Sequence, residues 1–171
     1  KYSTKAPKVP ILPEIVDYDF VKASLKDLSN VPIGVEKETL AIKTFDFDKS
    51  ASIIMAQDSN LINKFVESLA FEISRLETTK TFILDSDNVI PEKLGNCKVI
   101  KNSFDEMFKL LDLNMNKIIE AIEKDDKKSI EEFGKVVVIM YGLSNIKNIL
   151  SNEGTTVFDG MFRKVNKTKG A

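Results

Sequence analysis

Residues 52–63, SIIMAQDSNLIN, run from a short apolar stretch through a polar junction into an amphipathic helical pattern. A junction of that kind can hold phosphate, because free backbone N–H groups and the positive end of the helix dipole gather at a helix start. A working phosphate loop also needs glycines for close backbone approach, a lysine for the β- and γ-phosphates and a Ser or Thr for magnesium. If Ala56 takes the first glycine position, Leu61 takes the second, Ile62 the lysine position and Asn63 the hydroxyl position. The register that makes Lys64 the lysine puts Asp58 and Asn63 on the glycines and Phe65 on the hydroxyl. Neither register supplies a magnesium ligand, and Asp58 adds negative charge where phosphate would sit. Ala56, Gln57, Asp58, Ser59, Asn60, Leu61, Ile62 and Asn63 therefore read as a vestigial loop, with weak nucleotide binding at most.

Phosphoryl transfer further needs an acid at the end of an apolar strand, to hold magnesium and orient water. The most β-branched segment, Val136–Met140, offers only Met140, Tyr141 and Gly142 at its end, and no side chain there binds a hard cation. Asp85 and Asp87 follow a different strand. Asp85 could contact a ribose, but folds that do so carry a glycine-rich first turn that this chain lacks. It reads instead as a strand-end acid facing solvent. A receiver-like aspartyl-phosphate site has no placeable acid pair or lysine. Histidine is absent, which removes the commonest general base, the usual nucleophilic triads and histidine metal sites. No catalytic residue and no metal site are assigned.

Of 171 residues, 43% are apolar and 30% charged, a globular balance with enough length for one core. The net charge of −1 gives no broad attraction to nucleic acid. A single cysteine, Cys97, excludes an internal disulfide and a cysteine-rich zinc site, and suits a reducing compartment. No apolar run reaches the ~18–20 residues of a membrane span. Lys1 stands where a methionine would open a complete protein, so a piece of a longer chain is expected.

The elements that must position these residues follow from pattern. Pro7, Pro10, Pro13 and Pro32 make residues 1–38 an extended linker and lead-in segment, with room for a short helix over Asp17–Leu28. Val31–Val35 and Leu40–Phe47 read as edge strands, and Ser52–Ala56 as a central strand feeding a helix through Leu76. Thr81–Asp85 and Cys97–Lys101 are further strands. Ser103 and Glu106 form a capping box ahead of a long helix, whose Phe104, Phe108, Leu111, Met115, Ile118 and Ile122 mark one apolar face. Glu123–Ser129 reads as a solvated helix end. Val136–Met140 is the fourth core strand, followed by a helical segment over Leu143–Leu150, a turn at Asn152–Gly154 and a last helix from Thr156 to Val165. Phe158, Met161 and Phe162 on that helix belong either to the core or to an apolar groove for a partner helix. Strands and helices alternating from residue 52 predict a three-layer α/β domain over 39–171 with a largely parallel sheet.

In this order of elements the chain resembles the C-terminal ATPase-like domain of the FtsK/SpoIIIE-type motor of type VII secretion systems, the EssC/YukB group of Gram-positive bacteria. APKVPILPE followed by VPIGVEKETL is similar to the linker and "IPIGL" phrase ahead of each motor domain. SIIMAQDSNLINKFVESLAFEIS aligns without gaps to the family's strand, phosphate loop and first helix, with Phe65 and Ser68–Ala70 in register. TFILDSDN resembles its second strand. KVVVIMYGLSNI resembles its acid-bearing strand, with Met140 or Tyr141 in the place of the acid. The resemblance implies a degenerate RecA-like P-loop fold whose further strands follow residue 171. It implies a non-hydrolysing cytoplasmic domain of a membrane-anchored motor that forms hexamers at full length. Its partners would be other domains of the same chain and secreted WXG100-type substrates, with no resident cofactor and at most weak ATP and magnesium. The alternatives are an active motor domain with an unusual loop and a receiver-like regulatory module.

Overall fold

The computed structural model describes residues 27–48, 52–55, 57–165 and 167–168. A 3-10 turn at Leu28–Asn30 leads into an antiparallel hairpin of β1 (Val31–Val35) and β2 (Ile42–Phe45). Then come α1 (Ser59–Ile73), β3 (Thr79–Asp85), β4 (Lys98–Ile100), α2 (Phe104–Glu123), α3 (Lys127–Phe133), β5 (Lys135–Tyr141), α4 (Leu143–Ile149) and α5 (Asn152–Val165). Strands β4, β3 and β5 form a three-stranded parallel sheet in that order, with β3 in the middle. The domain is therefore α/β with a parallel sheet, as the alternating pattern predicts.

Burial on both faces makes β3 the centre. Side chains alternate along a strand, so Ile83 turns to one face and Leu84 to the other, and both are fully buried. Ile83 packs with Val66 and Ala70 of α1, and Leu84 with Phe104, Phe108 and Leu111 of α2 and Phe158 and Met161 of α5. The sheet thus lies between α1 and the α2–α5 pair. A third cluster of Leu28, Val31, Leu69 and Ile73 seats the hairpin on α1. Phe108 and Phe158 meet edge to face at 5.1 Å between ring centres, the arrangement their quadrupoles favour.

Several expectations need correction. Ser52–Met55 is not a strand: it pairs with no strand among the described residues, and Ile53 and Met55 are 79% and 89% exposed. An apolar run becomes a strand only beside a partner, and the central place is held by β3. The hairpin forms its own two-stranded sheet and does not edge the main one. Ser103 sits at φ 56° and makes no side-chain cap hydrogen bond, so the capping box does not form. Inside the charged run, Asp126 caps the separate helix α3 by accepting from the Ser129 amide at 3.2 Å. The turn expected at Asn152–Gly154 is the first turn of α5. Asp105 of α2 accepts from Ser151 Oγ at 3.0 Å and would lie 1.6 Å from a Cβ on Gly154, so helix contact selects the glycine. The proline-rich residues 1–26, most of the Asp17–Leu28 segment, and Ala56 lie outside the described residues.

Two polar groups sit in this core at a disadvantage. The buried Thr81 hydroxyl has no hydrogen-bond partner among the described residues, and an unpaired buried hydroxyl destabilises a fold. Thr81→Val should raise unfolding stability by about 1 kcal/mol, read from urea titration. Glu72 is 6% exposed, and burial raises its carboxyl above the usual 4.5 although Arg75 Nη1 lies 3.1 Å away. The folded state then binds that proton more tightly than the unfolded state, so this contribution declines as pH rises through the raised value. Glu72→Gln should flatten that decline in a pH series of unfolding curves.

Candidate functional site at the carboxyl edge of the sheet

Ligands of open parallel sheets settle beyond the carboxyl ends of the strands. Here β3 and β5 end side by side, with Asp85 paired to Tyr141, and α1 begins above that edge. The helix start at 57–63 and the strand end at Met140 and Tyr141 therefore come together.

Asp58 is the N-cap of α1. Its extended backbone (φ −91°, ψ 112°) lets Oδ1 accept from the amides of Asn60 at 2.8 Å and Leu61 at 3.2 Å. These are donors that a bound phosphate would use, and the chain's own carboxylate occupies them. Gln57, Ser59, Asn60 and Leu61 are exposed, whereas Ile62 turns inward against the Val66–Ile83 cluster. The Ile62 side chain is thus packing material. Lys64, the alternative, is exposed.

Asn63 and Tyr141 are joined across 78 residues, with the Tyr141 hydroxyl donating to Asn63 Oδ1. Burial, then the charges of Asp87 and Asp85, raises the Tyr141 hydroxyl above its ordinary value and keeps it a donor. Asn63 lies near the start of α1 and Tyr141 at the end of β5. They hold each other. Met140, one residue earlier, points to the opposite face and packs on the α2–α5 core.

Asp85 does not face solvent. It is fully buried, and its carboxylate accepts from the amides of Ile90 at 2.8 Å and Asp87 at 3.2 Å, which folds the loop after β3. Ser86 Oγ donates to the carbonyls of Tyr141 and Gly142, at 3.3 and 3.1 Å. Asp87 accepts from Asn145 of α4 at 2.8 Å. Gly142 has φ +72°, and a Cβ there would stand 2.4 Å from Ser86 Oγ and 2.6 Å from Asp87 Oδ1. The crevice between the two strand ends is closed by the chain itself. Ser86 and Asn145 had no sequence signal, because nothing local marks a contact between two strand-end loops.

Phe158, Met161 and Phe162 divide between the core and its cover. Phe158 and Met161 are core residues, and Phe162 covers Phe158 edge to face at 4.9 Å. A cleft of about 430 Å³ lies at the opposite end of the sheet, lined by Lys80, Phe82, Leu111, Phe133 and Val136 among others. Burial pushes the Cys97 thiol up, away from the reactive thiolate. Among the described residues no cluster of three or more Cys, Asp or Glu side chains could hold a metal ion, and no helix is long and apolar enough to cross a membrane.

Gly142→Ala should destabilise the fold by about 1–3 kcal/mol through the left-handed backbone and the clash with Ser86. Asp58→Ala should lower stability by about 1 kcal/mol through loss of the cap. Thermal and urea unfolding of the two variants check both values. Comparison with family models, with curated proteins and with solved structures found no match to the chain.

Proposed function

We propose that the chain is a non-hydrolysing, RecA-like domain of a type VII secretion motor of the FtsK/SpoIIIE type, serving substrate recognition or motor regulation during export. The observation that carries the reading is the pairing of Asn63 with Tyr141 beside the Asp58 cap. The helix start and the strand end stand where a nucleotide and its metal would be held, and both are satisfied internally. The placing of α1 on one face of a parallel sheet and of α2 and α5 on the other supports the reading, although no strand of that sheet precedes α1 among the described residues. On this reading the domain acts through its surfaces. Its partners are the other domains of the motor and secreted WXG100-type proteins, and the membrane and the hexamer belong to the full-length motor.

Calorimetric titration with Mg·ATP, together with a phosphate-release assay, tests the proposal. The expected result is no magnesium-dependent hydrolysis and no binding in the micromolar range. Micromolar binding that Asn63→Ala abolishes would favour an active motor domain. Retention of secreted helical-hairpin proteins on the immobilised chain is expected as the positive outcome.

A further inference from the structure

Side-chain sulfur is readily oxidised, and how fast depends on thiolate character and on exposure. The chain has one cysteine and five methionines. Met107 and Met161 are buried, 6% and 7% exposed, in the core between the sheet and the α2–α5 pair. Met115 and Met140 are partly buried and pack against the same cluster. Met115 also lines the cleft at the far end of the sheet, which makes it the nearest competitor. Cys97 is partly buried too. Its thiol donates to the Ala70 carbonyl at 3.3 Å, and burial keeps it protonated.

Met55 differs from all of these. It is 89% exposed, lies in neither helix nor strand, and follows Ile53 and Ile54, which are exposed as well. Among the described residues it belongs to none of the hydrophobic clusters. Helix α1 starts without it, since Asp58 caps the helix through its own side chain.

We propose that Met55 is an oxidative modification site, taking oxygen from a peroxide to form methionine sulfoxide ahead of every other sulfur while the fold stays intact. A lone pair of Met55 Sδ attacks one oxygen of hydrogen peroxide. The S–O bond forms as the O–O bond breaks, and hydroxide leaves. The proton shed by the transferred oxygen turns that hydroxide into water. Sulfur gives up two electrons, and the peroxide gains them. The product replaces a flexible apolar side chain with a polar, chiral one, at the end of an exposed apolar run. The core keeps its packing, because Met55 contributes none to it. The step is reversible: two thiols of a sulfoxide reductase remove the oxygen as water and become a disulfide. The inference does not rest on the assignment to a secretion motor.

The test treats the whole folded chain with dilute hydrogen peroxide, samples it over time and reads tryptic peptides by mass spectrometry. Trypsin leaves Met55 as the one sulfur in peptide 50–64 and puts each other sulfur in a peptide of its own. Peptide 50–64 is expected to gain one oxygen about fivefold faster, or more, than any other sulfur-bearing peptide. Chain oxidised there alone should keep the unfolding midpoint of untreated chain. In urea the five methionines should oxidise at similar rates, and Met55→Leu should remove the fast phase without changing the other rates. Oxidation of any other sulfur as fast as Met55 in the folded chain would overturn the proposal. So would selectivity that persists in urea, or a Met55 rate in the folded chain far below its rate in urea, which would show the sulfur to be covered. A lowered midpoint with 50–64 alone oxidised would overturn it as well.

Discussion

Two-sided burial of β3 is the constraint on which the rest depends. Ile83 and Leu84 are both fully buried, on opposite faces, so a helical layer must cover each face. Helix α1 supplies one layer through Val66 and Ala70, and α2 and α5 supply the other through Phe108 and Phe158. Because β5 pairs with β3 in register to Asp85–Tyr141, the end of β5 comes to lie beneath the start of α1. The meeting of Asn63 with Tyr141 is a consequence of that packing.

The chemistry at this edge is one of self-satisfaction. Nucleotide folds leave amides at the helix start and a carboxylate at the strand end free for a ligand. Here Asp58 takes the amides of Asn60 and Leu61, Asp85 takes those of Asp87 and Ile90, and Tyr141 takes Asn63. Each contact stabilises the fold and removes a point of attachment.

Elements with dense, regular patterns were legible in the sequence. The long helix α2 declared itself through Phe104, Phe108 and Leu111, and β3 and β5 through their β-branched runs. Helix α3 was hidden because KKSIEEF has too few apolar positions to show a period. The start of α5 was misread because Gly154 signals a turn locally, whereas it is kept small by Asp105 on another helix. Ser52–Met55 misled for the converse reason: its composition is that of a strand, and pairing is not written in composition. The burial of Asp85 and the bond between Asn63 and Tyr141 depend on residues far apart in the chain, beyond the reach of spacing.

The amides of Asn60 and Leu61 at the start of α1 are already spent on Asp58 and are not free for phosphate. Titrating magnesium pyrophosphate into isotopically labelled protein, while following the amide resonances of Asn60 and Leu61, tests it most directly. Both resonances are expected to stay in place through millimolar ligand. Saturating shifts of both at micromolar concentrations would contradict it.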